Sequence, residues 1–184
     1  NDSITSDENG RVVFGLVGTG GFAREVMPVA IEHLCIELER HPDVECKFYF
    51  VESRPDARQV NGLSVISVDE FLHLDCDSRY FNVAIGDSKV RERLSTEILM
   101  SGRARPLSLK SAHAISYHGN TIDKGAILCA NTMITSNAQI GKFFHSNIYS
   151  YVAHDCVIGD FVTFAPAVRC NGNVHVHYHA YIGT

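Results

Sequence analysis

The chain of 184 residues lacks three features that would assign it to common protein classes. It has no apolar run of about 18 residues, and a helix needs about 20 apolar residues to cross a bilayer, so we expect no membrane span. It has no cluster of basic residues and carries a net charge of −5, which argues against nucleic acid as the main partner. Its six cysteines show no Cys-x-x-Cys spacing. We therefore expect reduced thiols in a cytoplasmic protein.

A six-residue period is present instead, between Thr121 and Thr184. Neither an α-helix nor a β-strand produces this period over such a length. It predicts a β-helix of hexapeptide repeats, in which three short strands form a coil and one side chain of each repeat points inward. We expect the residue after each inward position to turn the corner with positive φ, as Gly and Asn allow. The inward positions are apolar except for Ser146: Ile122, Leu128, Ile134, Ile140, Ser146, Val152, Ile158, Phe164, Cys170, Val176 and Ile182.

The first half of the chain alternates between apolar runs and helical spacing. This alternation predicts a small Rossmann-like α/β domain over residues 11–105, after a flexible lead-in at 1–10. The β-helix domain is expected over 106–184, and further coils or a tail are expected beyond Thr184 because an open coil leaves unpaired strand edges. The last helix of the α/β domain is predicted to carry Arg91 and Arg93 on its polar side.

A glycine-rich segment, Gly18-Thr19-Gly20-Gly21, follows the first predicted strand and precedes the first helix. Backbone N–H groups at a helix N-terminus suit a phosphate, but a tight turn between strand and helix needs glycine as well. Glu52, after the second strand, is either a ribose-binding acid or a solvated loop residue. A nicotinamide-dependent dehydrogenase is a further hypothesis, although the third glycine of that fingerprint is missing.

The pair His154-Asp155 lies two positions after the inward Val152, so His154 should face outward. A neighbouring carboxylate fixes the tautomer of an imidazole and favours its use as a general base. An ordinary surface histidine would look the same in the sequence. A zinc protein whose ligands His145, His175 and His177 converge across a trimer interface is an alternative, and a scaffold without catalytic activity is another. We predict no metal.

Two segments together resemble a known family. The residues 18–26 and 152–160, with Ala165-Pro166, are similar to bacterial sugar acyltransferases of the sialic acid O-acetyltransferase type. The closest subgroup is the N-acetyltransferases that act on UDP-4-amino-sugars, as in bacillosamine synthesis. The resemblance covers nearly the whole chain from about Arg11. It implies a left-handed parallel β-helix and a homotrimer with active sites between neighbouring β-helices.

The resemblance also implies a reaction and a set of site residues. Acetyl-CoA would acetylate the 4-amino group of a nucleotide-linked sugar of the UDP-4-amino-4,6-dideoxy-GlcNAc type, for bacterial glycan synthesis, by direct transfer. O-acetylation of a sugar such as sialic acid is the alternative. His154 would be the general base, Asp155 its partner and the Gly172 N–H an oxyanion donor. The nucleotide-sugar would contact Gly20, Gly21, Phe22, Glu52, Ser53 and Gly86, and acetyl-CoA would contact Thr163, Gly172 and Thr184.

Overall fold

The computed structural model describes residues 10–39 and 41–184, so the predicted lead-in lies outside the described residues apart from Gly10. Its first part is a six-stranded sheet with the order β3-β4-β2-β1-β5-β6, parallel except for the β3–β4 pair. The strands are β1 (Arg11–Val17), β2 (Glu45–Glu52), β3 (Gln59–Val60), β4 (Leu63–Ser67), β5 (Ser78–Val83) and β6 (Arg105–Pro106). The helices are α1 (Gly21–Leu38), α2 (Val68–His73) and α3 (Ser88–Met100).

The strand β1 is central because its residues are apolar on both faces. Six of its seven residues are buried, as expected for a parallel strand between covering layers. The helix α1 covers one face with a stripe of buried residues at helical spacing, from Ala23 through Val26, Met27 and Ala30 to Leu34. The Rossmann-like sheet predicted from the alternating pattern is therefore confirmed. The two short edge strands β3 and β6 were not predicted.

The strand order places one crevice at the carboxyl ends of the strands. Because β1 is followed by β2 on one side and β5 by β6 on the other, the connections after β1 and after β5 leave in opposite directions, and ligands of such sheets bind where they diverge. The glycine segment after β1, Glu52 at the end of β2 and Gly86 after β5 all lie at this edge. The crevice is therefore bordered by residues from three separate segments.

The second part is a left-handed parallel β-helix of hexapeptide repeats, an exception to the usual right-handed crossover. Each strand pairs with the strand eighteen residues further on, as Ile127 with His145 and His145 with Thr163. Face 1 consists of β7 (Leu109–Lys110), β10 (Ile127–Leu128), β13 (His145–Ser146), β16 (Thr163–Phe164) and β19 (Tyr181–Ile182). Face 2 consists of β8 (Ile115–Ser116), β11 (Met133–Ile134), β14 (Tyr151–Val152) and β17 (Arg169–Cys170). Face 3 consists of β9 (Thr121–Ile122), β12 (Gln139–Ile140), β15 (Val157–Ile158) and β18 (His175–Val176).

The predicted inward column forms the core of the β-helix. Side chains from Leu128 to Cys170 at six-residue spacing are buried, including Ser146. Val176 and Ile182 are partly buried and pack against the same cluster. Ile122 is the exception at 36% exposure, because β9 is the last strand of its sheet among the described residues.

The corners of the coils do not lie where the sequence predicted. Positive φ occurs three residues after each inward position, and not directly after it. The glycines directly after inward positions have another role, because the next coil comes very close to them. A Cβ on Gly141 would lie 2.6 Å from the backbone nitrogen of Asp160, and one on Gly159 would lie 2.5 Å from that of Tyr178. The positive-φ residues of the β-helix are Gly119, Gly125, Asn131, Asn137, Phe143, Tyr149, Asp155, Phe161, Ala167, Asn173 and His179.

The α/β domain packs against the corner between faces 3 and 1. Phe143 and Phe161, one coil apart, stack with ring centroids 5.6 Å apart, and His179 continues the stack at 5.4 Å from Phe161. Phe81 of β5 lies against Phe143 with centroids 6.2 Å apart. The two parts of the chain therefore share a continuous core. None of the helices within 10–39 and 41–184 is long and apolar enough to span a bilayer.

Candidate active site

His154 and Asp155 follow β14 and lie at the corner between faces 2 and 3. The His154 Nδ1 and Asp155 Oδ2 atoms are 2.8 Å apart, and the two side chains are 59% and 47% exposed. Asp155 occupies the positive-φ position of its corner, with φ of 58°. The corner geometry therefore directs the carboxylate toward the preceding imidazole. His154 faces outward, as the sequence predicted.

The Asp155 carboxylate is held from both sides. Its Oδ1 accepts a long hydrogen bond of 3.5 Å from the Asn137 amide, one coil away. The hydrogen bond with His154 is the main cause that lowers the pKa of Asp155, and the Asn137 amide and the His154 charge act in the same direction against slight burial. The carboxylate is thus favoured in its charged form, in which it accepts from the Nδ1–H of His154.

Gly172 lies one coil above His154 and supports its ring. A Cβ on Gly172 would stand 2.5 Å from Cε1 and 2.6 Å from Nε2 of His154, so only glycine leaves room for the imidazole. The preceding Asn171 is fixed twice, because its Oδ1 accepts from the Tyr151 hydroxyl at 2.6 Å and its carbonyl from the Cys156 thiol at 3.1 Å. No backbone acceptor within the described chain pairs with the Gly172 N–H. That N–H is therefore available to an oxygen of a ligand.

The crevice of the α/β domain is open at its glycines. A Cβ on Gly20, Gly21 or Gly86 would meet nothing within 4 Å, so a ligand can approach the backbone closely there. Gly20 is the N-cap of α1 and has no side-chain cap, which leaves the first N–H groups of the helix to other acceptors. The Thr19 hydroxyl donates to Glu52 Oε1 at 2.7 Å, which holds Glu52 at the rim of the crevice. Ser53 beside it is exposed.

The remaining predicted contacts lie elsewhere. Thr163, on face 1, is 8% exposed, and its hydroxyl accepts a hydrogen bond of 2.9 Å from Arg91. Arg91 itself is fully buried, so its predicted place on the polar side of α3 is wrong, whereas Arg93 is exposed. Thr184 is exposed and its hydroxyl donates to the Pro166 carbonyl at 2.8 Å. The role of Thr163 and Thr184 in contacting acetyl-CoA stays a prediction.

The predicted site residues therefore form two groups within one chain. His154, Asp155 and Gly172 lie at the corner between faces 2 and 3, and the crevice residues lie with the α/β domain at the corner between faces 3 and 1. Sequence reasoning missed Asn137, which an eighteen-residue stacking rule would have placed beside Asp155. No sequence signal identified Tyr151.

His145, one ligand of the alternative zinc set, is not accessible. His145 is fully buried, with its Nε2 2.9 Å from the Val83 carbonyl oxygen and its Nδ1 3.1 Å from Arg91, so both ring nitrogens have protein partners. Burial is the main cause that holds the pKa of His145 well below its usual range. Within the part of the chain that the structure describes, no three His, Cys, Asp or Glu side chains group as a metal site requires.

Comparison with known proteins agrees with this fold, although no family model matches the chain. GDP-perosamine N-acetyltransferase of Escherichia coli O157:H7 is 40% identical over 172 residues, which cover 94% of this chain and 76% of that protein. The structure of WeeI from Acinetobacter baumannii AYE is also 40% identical, with a TM-score of 0.81 over 94% of this chain and 78% of WeeI. PerB from Caulobacter crescentus, solved with CoA and GDP-perosamine, has a TM-score of 0.74 at 21% identity over 93% of this chain and 77% of PerB, and shows the fold alone.

The Rossmann-like domain, the hexapeptide β-helix and the exposed His154-Asp155 pair define a β-helix acyltransferase. The 40% identity over nearly the whole chain narrows the class further. The chain belongs to the amino-sugar N-acetyltransferases. The resemblance predicted from the glycine segment and the His-Asp pair is thereby confirmed at the level of the family.

Proposed function

We propose that this enzyme transfers the acetyl group of acetyl-CoA to the 4-amino group of a nucleotide-linked sugar, with His154 as general base. The observation that carries the proposal is the His154–Asp155 pair, held at 2.8 Å on an exposed corner of the β-helix and supported by Gly172. This pair is the arrangement that deprotonates a nucleophile. Membership of the amino-sugar N-acetyltransferases supplies the reaction class.

The geometry of the pair assigns the two ring nitrogens of His154. Nδ1 lies 2.8 Å from the Asp155 carboxylate, which can only accept, so Nδ1 carries the proton. Nε2 is then the free base and takes the proton that the amine releases as it attacks the thioester carbon. The C–N bond forms, the C–S bond breaks, and the proton on Nε2 passes to the departing thiolate. A covalent acyl-enzyme is not required, and the nearby Cys156 is fully buried.

Gly172 is suited to stabilise the oxyanion that forms on the thioester oxygen. Its N–H has no backbone acceptor within the described chain, and the residue lies against the imidazole that receives the proton. A fixed backbone donor next to the base is the usual arrangement for a tetrahedral intermediate. Asn171, held by Tyr151 and Cys156, keeps this part of the coil in place.

The crevice of the α/β domain fits the nucleoside diphosphate part of the acceptor. The uncapped first turn of α1 offers N–H groups and a positive helix end to the diphosphate. Glu52, oriented by Thr19, is placed for a ribose hydroxyl. We favour a GDP-linked acceptor, because one relative is named for GDP-perosamine and PerB binds it. The UDP-linked acceptor predicted from the sequence remains the second candidate.

The assembly we propose is a homotrimer. The base and the crevice lie at different corners of the coil within one chain, so a second copy packed alongside is needed to bring a bound sugar to His154. Nucleotide-sugars and acetyl-CoA are metabolites of the cytoplasm, where we place the enzyme. Its acetylated product would serve bacterial glycan synthesis.

Thiol release from acetyl-CoA with a panel of acceptors tests the proposal. GDP-perosamine, a UDP-4-amino-sugar and free sialic acid should be compared, and the product mass and its amide signal should be recorded. We expect rapid release and an N-acetyl product with GDP-perosamine. Faster release with the UDP-linked sugar would replace the nucleotide assignment. Release with sialic acid alone would refute the amine acceptor.

A further inference from the structure

Arg91 of α3 is a buried cation whose hydrogen-bond partners are neutral groups instead of carboxylates. It is fully buried, and its guanidinium donates to the carbonyl of Ile85 at 2.7 Å, to that of Phe161 at 2.6 Å and to the Thr163 hydroxyl at 2.9 Å. Burial lowers its pKa to about 10, so the side chain remains charged at neutral pH. Burying a charge costs free energy, and the hydrogen bonds that these oxygens accept offset that cost.

His145 of β13 extends the same network. Arg91 has donors only, so the His145 Nδ1 at 3.1 Å accepts from it, and Nε2–H donates to the Val83 carbonyl at 2.9 Å. The ring of Phe22 rests on the imidazole with centroids 5.0 Å apart. A neutral imidazole of fixed tautomer thus connects the first turn of α1 with the end of β5.

The network therefore contacts two segments that border the crevice and the β-helix at once. Phe22 belongs to the first turn of α1, directly after the glycine segment, and Ile85, with Gly86 at 3.4 Å from the guanidinium, belongs to the loop after β5. Phe161 and Thr163 belong to the β-helix. Neither of these two segments is close to the β-helix in sequence. The Arg91 guanidinium connects the loop after β5 to the β-helix directly, and it reaches Phe22 through His145.

We propose that Arg91 and His145 are positioning residues, which hold the first turn of α1 at Phe22 and the loop after β5 at Gly86 against the β-helix and thereby set the affinity for the nucleotide-sugar. The identity of the ligand rests on the proposed function. A crevice held in its binding geometry loses less conformational freedom when the ligand binds. Stability alone would not require Arg91 and His145, because two apolar side chains of similar volume would fill the same space at a lower cost in desolvation free energy.

Two substitutions test the network and two serve as matched controls. Arg91→Met keeps an unbranched side chain and removes the donors and the charge, and Arg91→Lys keeps the charge. Arg93→Met makes the same change at an exposed position of α3. Leu94→Ala removes a buried side chain of α3 that makes no part of the network. The KM for each substrate, kcat and the Kd for GDP by calorimetry should be measured well below the melting temperature of each variant.

We expect Arg91→Met to raise the KM for the nucleotide-sugar and the Kd for GDP by roughly 10- to 100-fold, and to raise the KM for acetyl-CoA by much less, through Thr163 alone. Arg91→Lys should recover part of the loss, and both controls should match the native protein. Equal effects in Arg91→Met and Leu94→Ala would overturn the proposal, because the affinity would then follow stability. If Arg91→Met does not fold, Arg91→Lys replaces it in the test. A Kd for GDP equal to the native value in Arg91→Lys would then overturn the proposal.

Amide hydrogen exchange gives a second measurement. Exchange should accelerate in Arg91→Met at residues 18–23 and 84–88 and not elsewhere, whereas a uniform increase would overturn the proposal. Native protein that binds GDP but acetylates no amino-sugar would refute the proposed function. The role of Arg91 could then still be tested by the Kd for GDP. Native protein that binds neither GDP nor UDP would refute both.

Discussion

The contact between Gly172 and His154 gives the sharpest prediction about catalysis. In Gly172→Ala the new methyl carbon would stand 2.5 Å from Cε1 of His154, about 1 Å closer than carbon atoms pack. The backbone of Gly172 does not have positive φ, so alanine itself is tolerated. The ring is 59% exposed and can move away. The displacement of the base, and not unfolding, should therefore be the main effect.

The size of the effect follows from that displacement. A shift of about 1 Å stretches the bond between His154 Nδ1 and Asp155 Oδ2 beyond hydrogen-bond range, since it begins at 2.8 Å. Misplacing a catalytic group by this amount costs roughly 100-fold in rate, or about 2.7 kcal/mol in the barrier. The main-chain N–H of residue 172 is retained, so the loss of an oxyanion donor does not contribute.

Steady-state kinetics with saturating acetyl-CoA measures this loss, and thermal unfolding checks that the fold is intact. The His154→Ala variant supplies the control background, because the ring that the methyl displaces is absent there. Gly172→Ala should then cost little further. A kcat within about threefold of the native value in a folded Gly172→Ala protein would refute the claim that the ring must lie against Gly172.

Three further predictions concern the carboxylate, the coil spacing and the crevice. Asp155→Asn should lower kcat by about 100- to 10,000-fold, because an amide donates to Nδ1 and moves the His154 proton to Nε2. Because the pKa of Asp155 is lowered in the folded state, the charged carboxylate stabilises the fold above about pH 4, and this stabilisation is lost as the pH falls through the lowered pKa. The melting temperatures of the native protein and Asp155→Asn should therefore converge in acid. Gly159→Ala should destabilise the fold by about 1–3 kcal/mol, measured by denaturant unfolding, because its Cβ would lie 2.5 Å from the Tyr178 nitrogen. Gly20→Ala should leave stability within about 1 kcal/mol and raise the KM for the nucleotide-sugar roughly tenfold, because its Cβ meets only the space assigned to the ligand.

Each of these three predictions has an outcome that would contradict it. An Asp155→Asn enzyme with native kcat would show that the carboxylate does not set the tautomer. Gly183→Ala is the matched control for the coil, because its Cβ meets only a Tyr181 carbon at 3.9 Å, and equal unfolding free energies for it and Gly159→Ala would contradict the close approach. An unchanged KM in Gly20→Ala would exclude a ligand over the first turn of α1.

The architecture of the β-helix could be read from the sequence because one physical requirement repeats. Each coil buries one side chain per face, so positions such as Ile134, Val152 and Phe164 show the period directly. The corners could not be read in the same way. Phe143 and Phe161 adopt positive φ although their side chains disfavour it, because packing and coil-to-coil hydrogen bonds outweigh the local cost.

The candidate site was predictable where it depends on neighbours in sequence. His154 and Asp155 are adjacent, and their outward direction follows from the repeat. The buried network was not predictable, because helical spacing assigns Arg91 to solvent. Only the tertiary structure places the carbonyl of Phe161, seventy residues later, next to its guanidinium.

The central claim is that His154 is the base that allows a sugar amine to take an acetyl group. Its most direct test compares kcat for GDP-perosamine acetylation in native protein, His154→Ala and His118→Ala. His118 is an exposed histidine at the equivalent position of the same corner, two coils away, so it controls for loss of a surface imidazole. We predict a loss of about 100- to 10,000-fold in His154→Ala and native activity in His118→Ala. Native activity in both variants would contradict the account.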